Sequence, residues 1–200
     1  MKRIKISVIP FLAAGLLQAQ ISVSGEINPY VMTRTINSSQ INLPFRLLSL
    51  DIGYSFEQFD LKTNSAIEHR IKTNKSQYDL RELYFAFYPE WGEVKLGKQI
   101  HSWGAADAIN PTNNLNPYDY YYMFKVGAGT KVGVFSLSST YYSDSFQIEI
   151  IVNPYFNKNR IPYDEDDFPL APDNEPAIRY SPNEEVEVGL KLQTSLTNSD

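Results

Sequence analysis

Alternation of apolar and polar side chains at a period of two is the feature that most constrains this chain. In residues 82–88, Leu83, Phe85 and Phe87 stand at every second position, and residues 186–193 repeat the pattern with Val and Leu. Successive side chains of a β-strand point to opposite faces, so the pattern predicts strands with one apolar and one polar face.

The same alternation, more or less regular, recurs along most of the chain and predicts an all-β, antiparallel fold. Segments of about 10 residues have the length that tilted strands need to cross the hydrocarbon layer of a membrane. The eight predicted strands are residues 21–35, 45–56, 58–71, 77–88, 93–101, 131–142, 146–154 and 184–194.

The links between these strands alternate in length. Tight links are expected near Glu57 and at residues 89–92 and 143–145. The longer links are residues 36–44, 72–76, 104–130 and 155–183. Bacterial barrels place short periplasmic turns at one rim and long extracellular loops at the other, and this alternation has that form.

The N-terminus has the pattern of a cleaved secretory signal peptide at residues 1–19. Basic residues precede an apolar run over 6–17, which is too short to span a bilayer, and Ala19 is the small residue that cleavage requires. Cleavage there removes three of the 18 basic residues and none of the 23 acidic ones, which leaves a net charge of −8. That charge argues against nucleic acid as a partner.

Composition narrows the class of exported protein. The chain has no Cys, which excludes a disulfide scaffold and thiolate metal sites. It has 14 Tyr and 11 Phe, and aromatic residues form girdles at both interfaces of membrane barrels. We therefore expect residues 20–200 to form a transmembrane β-barrel, and a soluble exported β-sandwich or lipid-binding barrel is the alternative.

The link 104–130 is patterned more densely than a simple connection. Asn-Pro occurs at Asn110 and again six residues later at Asn116, and such pairs favour compact turns. The polar side chains either cap their own turns or belong to a loop that folds into the lumen and narrows it. The candidate constriction residues are Trp103, Asp107, Asn110, Asn114, Asn116 and Asp119.

Several short motifs resemble a family of uncharacterised porin-like outer-membrane β-barrels of Gram-negative bacteria. They are Gly97-Lys98-Gln99, Trp103-Gly104, Asn110-Pro111, Leu115 to Asp119, and the stretch Gln147 to Pro162. The resemblance covers roughly residues 80–165 and implies a barrel in the outer membrane, without a known substrate. Such proteins commonly have an acidic residue where Asn113 stands, so the resemblance does not carry over a cation site there.

The last residues, 196–200, lack the terminal aromatic residue that outer-membrane barrels commonly have on their final strand. Two interpretations follow: eight strands close on themselves, or the chain is the N-terminal portion of a larger barrel. The family resemblance favours the larger barrel. The expected surroundings are outer-membrane lipid, lipopolysaccharide and the barrel-assembly machinery.

The positions opposite the apolar sets are the candidates for a lumen lining. Seven are acidic and four are basic, so we expect weak cation preference in a pore. Lys98 falls on the apolar parity, which implies a bulge, a snorkelling amine or a shifted register. The candidates are Glu26, Asp51, Asp60, Lys62, Glu68, Arg70, Glu82, Lys95, Glu149, Glu187 and Lys191.

No catalytic or metal-binding constellation is evident. His69 and His101 have no partner at ligand spacing, and Ser102 beside His101 points to the opposite face of a strand. The acidic run 164–167 is either a solvated loop or a weak divalent-cation site. We expect a porin-like channel without enzymatic activity or cofactor. A structural or adhesive barrel with a plugged lumen and a lipid-acting barrel enzyme are the alternatives.

Overall fold

The computed structural model describes residues 20–104, 112–125, 127–163, 165–167 and 186–194. The predicted signal peptide, Asp107 and Asn110 lie outside the described residues. So do Asp164 and most of the predicted link 155–183.

Eight strands form one antiparallel sheet in which each strand pairs with its neighbours in sequence. The all-β, antiparallel prediction is confirmed. The first and last strands do not pair with each other, so the sheet is not closed. The strands are β1 (Gln20–Ile27), β2 (Phe45–Phe56), β3 (Phe59–Arg70), β4 (Lys75–Phe87), β5 (Gly92–Gln99), β6 (Val134–Tyr142), β7 (Phe146–Asn153) and β8 (Glu187–Thr194).

Three predictions about strand ends and links are wrong, and one of them is the start of β6, which is Val134 rather than residue 131. Strand β1 ends at Ile27 rather than at residue 35, because the next residues are Asn28 and Pro29, and Pro has no N–H for the ladder. The link between β3 and β4 is a turn closed by a 3.2 Å hydrogen bond from Asn74 N to Ile71 O, not a long loop. Asn74 has φ of 51°, which Asn tolerates in tight turns.

The remaining link lengths place the long connections at one end of the sheet. In an antiparallel meander successive links lie at alternate ends. The long links 28–44, 100–133 and 154–186 therefore share an end with the turn 71–74, and the three other turns lie at the opposite end. Within the described residues, no helix has the length and hydropathy that a membrane-spanning helix requires.

One face of the sheet is apolar from edge to edge, and we call it the apolar face. Its side chains are largely exposed; Leu61 is 48% exposed, Phe85 45% and Leu96 49%. A single cross-strand row runs through all eight strands as Ile21, Tyr54, Leu61, Phe85, Leu96, Leu137, Val152 and Val188.

The opposite face, which we call the polar face, is the one that the long links cover. Buried polar side chains lie here, including Glu68 at 3% exposure and Ser136 and Asn153 at 0%. Leu115 and Tyr122 from the link after β5 are buried against them. The interior of the protein therefore lies between the polar face and its covering loops.

Two β-bulges change which face the side chains take near the covered end. The register shifts between Arg46 and Leu48 on β2, and between Asn64 and Ser65 on β3, where Arg81 is the extra residue of β4. Strict alternation assigns Arg46 and Arg81 to the apolar parity. The extra residue in each strand brings both side chains under the polar-face loops instead.

Candidate functional site

The eleven predicted lumen residues all lie on the polar face. Directly paired residues of neighbouring strands share a face, and the pairings join Asp51 to Asn64, Asn64 to Glu82, and Glu149 to Lys191.

The structure brings some of these residues together in a polar cleft of about 170 Å³ at the β1–β4 end of the sheet. Its volume exceeds the needs of a single water several-fold. The polar and charged residues that line the cleft are Ser22, Ser24, Asp51, Lys62, Thr63, Asn64, Glu82 and Tyr84.

Trp103 anchors the beginning of the link between β5 and β6, residues 100–133, which we call the covering loop. Its indole Nε1 donates a 2.9 Å hydrogen bond to Glu149 Oε2 on β7. The ring also lies against Gly189 of β8, where an added Cβ would stand 2.6 Å from the indole Cη2. A glycine at position 189 therefore allows the indole to rest on the sheet.

Asn116 bridges the loop to the sheet and does not merely cap its own turn. Its Nδ2 donates to Gln99 O and to Val132 O, both at 2.9 Å, and its Oδ1 accepts from His101 N at 2.7 Å. The side chain is 2% exposed. For Asn116 the self-capping interpretation is wrong, whereas Asn114 is exposed.

Asp119 caps its own turn and also reaches beyond the loop. It caps the short 3₁₀ turn that follows, since its Oδ1 accepts from Tyr121 N at 3.2 Å. Its other oxygen accepts from Arg160 NH1 at 3.1 Å and lies 3.5 Å from Arg46 NH2. Burial raises the pKa of the Asp119 carboxyl, although the charge of Arg160 opposes that shift.

A charged network lies at the centre of the covered region. Arg160 binds Glu68 through two hydrogen bonds of 2.7 and 2.9 Å, and Tyr122 Oη donates to Glu68 Oε1 at 2.8 Å. The Arg46 guanidinium stacks 3.7 Å above the Tyr122 ring. Because Arg160 belongs to the link after β7 and Tyr122 to the link after β5, the network joins both links to β3.

The acidic run also makes ion pairs with the sheet and with a neighbouring loop. Arg70 binds Glu165 at 2.6 and 3.0 Å, and Asp167 lies 2.9 Å from Arg34 NH2. Asp166 is exposed. No group of three or more His, Cys, Asp or Glu side chains that could hold a metal ion occurs among the described residues.

The two histidines bind serine hydroxyls that adjacency in sequence did not suggest. His101 Nε2 lies 2.8 Å from Ser136 Oγ, and His69 Nδ1 lies 2.9 Å from Ser76 Oγ. Ser136 is 0% exposed, so its hydroxyl belongs to a buried network. Burial, followed by the charge of Lys95, lowers the pKa of His101 to about 4, which keeps the imidazole neutral near pH 7.

Lys131 is a buried lysine without an acidic partner among the described residues. Its Nζ donates to Asn113 O at 2.7 Å and to Asn116 O at 3.3 Å, and it lies 3.3 Å from the centre of the Tyr118 ring. Burial lowers the pKa of Lys131 to about 8. The carbonyls and the ring hold the amine under the loop.

Lys98 lies on the apolar face, between Leu83 and Phe135 in the same row. Its amine donates to Leu80 O. The sequence therefore assigned the parity of Lys98 correctly, and a backbone carbonyl accepts a hydrogen bond from its ammonium.

Sequence reasoning missed four basic residues that lie in or beside the network. Parity misplaced those in the bulges, and those in the links had no periodic pattern to mark them. The four are Arg46, Arg81, Lys131 and Arg160.

The fold and this site define an all-β protein with an open, eight-stranded antiparallel sheet and a loop-covered polar face. Comparison with protein-family models, with curated proteins and with solved structures finds no match to the chain.

Proposed function

We propose that this sheet is part of the wall of an outer-membrane β-barrel through which small solutes cross. The covering loop narrows the lumen of the proposed barrel. The observation that carries the proposal is the placement of the two faces. The apolar face is exposed across all eight strands, while charged groups such as Glu68 and Asp119 are buried under loops. A contiguous exposed apolar surface of this size is unusual for a soluble monomer and marks an interaction surface.

Strand length supports lipid as the material against that face. Strands of 8 to 13 residues bracket the length of about 9–11 that a tilted strand needs to cross the hydrocarbon layer. Strands of such barrels alternate apolar residues outward and polar residues inward. In the proposed barrel the polar face, with its acidic and basic side chains, lines the lumen.

The outer edges of β1 and β8 set a condition on the proposal. An unpaired backbone N–H or C=O in lipid costs several kcal/mol, so a membrane sheet cannot keep open edges. In the proposed barrel both edges pair with each other after closure or with further strands.

The contacts of the covering loop support a narrowed lumen. Trp103 fixes the beginning of the loop to Glu149, Asn116 fixes its middle to Gln99, and Tyr122 fixes its later part to Glu68. All three contacts are on the polar face. In the proposed pore the loop occupies cross-section that solute would otherwise use.

The same contacts support a second candidate, a structural barrel whose lumen the loops plug. Conductance across a planar bilayer separates the two. Protein refolded from the full chain should give discrete current steps, with heat-denatured protein as the control. Insertion without current would favour the plugged barrel, and failure to insert into bilayers would refute both.

The location of the long links offers a separate test. In the proposed orientation the links 104–130 and 155–183 are extracellular. Protease added to intact cells should cleave near Asp166, which is exposed. Cleavage only after the outer membrane has been opened would contradict this orientation.

A further inference from the structure

A small cavity of about 60 Å³ lies beneath the covering loop on the polar face. Since a water needs about 10–15 Å³ of such space, there is room for a few waters or for one small ion. The charged side chains that line the cavity are Arg46, Asp79, Arg81, Asp119, Lys131 and Arg160.

Part of this charge is internally matched. Arg160 is bound to Glu68 and Asp119, so it has carboxylate partners at 2.7 to 3.1 Å. The amine of Lys131 is turned to backbone carbonyls and to the Tyr118 ring. These groups contribute field to the cavity, and several of their donors are already used.

Arg46 is only partly matched. Its side chain is 10% exposed, and NH1 donates to Gly129 O at 2.8 Å. Two carboxylates lie near Arg46 but beyond ordinary hydrogen-bond length, Asp119 at 3.5 Å from NH2 and Asp79 at 3.8 Å from Nε. The buried Nε makes no hydrogen bond to the described part of the chain, and a buried charged donor without an acceptor is costly.

Arg81 has no ion pair at all within 4.0 Å among the described residues. Its NH2 donates to Ala128 O at 2.6 Å and its NH1 to Asn64 Oδ1 at 3.4 Å, both neutral acceptors. The extra residue of the β4 bulge therefore brings a second guanidinium to the cavity that already holds Arg46.

From this arrangement we infer that the cavity is a binding site for a small carboxylate anion, held between Arg46 and Arg81. A guanidinium presents donors in a planar fork that matches the two oxygens of a carboxylate. An anion there supplies the charge that Arg81 lacks and an acceptor for Arg46. The cavity volume limits the enclosed part of the ligand to about the size of formate or acetate.

The inference goes beyond the proposed channel and does not depend on conduction. The proposed site is also local. The cavity has an excess of positive charge, whereas the eleven residues predicted to line a lumen have a net negative charge. A permeating or a merely bound carboxylate would use the same contacts.

The test is a calorimetric titration of the purified full chain with sodium acetate, in a zwitterionic buffer of low ionic strength. We expect saturable binding of one acetate per chain. Arg81→Gln should weaken it at least tenfold, and Arg81→Lys should weaken it less, because it keeps the charge and loses the fork. Arg34→Gln is the matched control, since Arg34 pairs with Asp167 and does not line the cavity.

A variant that is expected to bind acetate more tightly excludes misfolding as the cause of the lost affinity. Asp79→Asn removes a carboxylate that competes for Arg46 and should tighten acetate binding about threefold, whereas a damaged fold would only lose affinity. Titrations with sodium chloride and sodium phosphate test the ligand class. No acetate binding by the natural chain, loss of affinity in Asp79→Asn, or equal binding of chloride or phosphate would each overturn the inference.

Discussion

Tyr122 Oη donates a 2.8 Å hydrogen bond to Glu68 Oε1, across 54 residues of sequence. Both side chains are 3% exposed. The bond joins the loop that follows β5 to the polar face near the covered end of β3, and Arg160 completes the environment of the same carboxylate. This pair makes the position of the loop testable.

Replacing Tyr122 by Phe should lower the free energy of unfolding by about 1–2 kcal/mol, because Glu68 loses one buried donor and keeps Arg160. Denaturant unfolding measures the change. Tyr120→Phe is the control, since Tyr120 is exposed on the same 3₁₀ turn and should leave stability unchanged. Equal stability of the two variants would mean that the Tyr122–Glu68 bond does not hold the loop.

Gly189→Ala should displace the indole of Trp103. The added Cβ would stand 2.6 Å from Cη2, closer than real contacts allow, so the ring or the strand must shift. The emission of Trp103, measured with Trp91 replaced by Phe, should change. Val188→Ala changes the neighbouring residue on the apolar face and should leave the emission as it is; an unmoved spectrum in Gly189→Ala would contradict the packing.

His101 should make stability depend on pH below neutrality. Its pKa is about 4 in the folded chain against an ordinary value of 6.5, so the unfolded chain binds the proton more readily. The free energy of unfolding that neutral His101 contributes is therefore fully present above pH 6.5. It is lost as the pH falls towards 4, by up to roughly 3 kcal/mol. Comparing unfolding of the natural chain and His101→Asn at pH 7 and pH 4 isolates the effect, because other titrating groups are common to both. A constant difference between the two would refute it.

Phe85→Arg should destabilise the proposed barrel by roughly 2–4 kcal/mol if the residue lies near the bilayer midplane. Phe85 lies between Leu61 and Leu96 in the apolar row. The heat resistance of the folded form on a gel is the measurement. Lys62→Arg on the polar face of the adjacent strand is the control. Unchanged heat resistance in Phe85→Arg would show that lipid does not contact this row.

Ion selectivity tests the lumen assignment. The eleven polar-face residues include more acidic than basic groups, which predicts a preference for cations. The preference should be weak, because salt screens charges separated by more than about 8 Å. Reversal potentials in a potassium chloride gradient measure it. Asp51→Asn should reduce the preference and Lys62→Gln should increase it. Clear anion selectivity would defeat the prediction.

The strands could be predicted from sequence because the alternation is long and one face is uniformly apolar. The row through Phe85 and Leu96 follows directly from period two. Loop contacts could not be predicted in the same way. Asn116 reads as a turn residue, and only the packed structure places its amide between Gln99 O and Val132 O. An isolated Asn contains no information about partners that far along the chain.

The bulges explain the other failure. Parity is a local rule that an extra residue resets, and residues 45–49, next to Leu47, include no Gly or Pro to signal the interruption. Strict parity therefore puts Arg46 on the wrong face. The same rule worked for Lys98, where the strand is regular and the amine finds Leu80 O.

The bulges also make two positions tolerant of changes in chain length. Loss of one residue within a regular strand reverses the side chains on one side of it. Loss of Leu47 or Arg81 would instead remove the bulge, because the residues that flank each of them already lie on opposite faces. The apolar row beyond would keep its direction. These two positions thus tolerate the loss of a residue while the outer apolar surface stays the same.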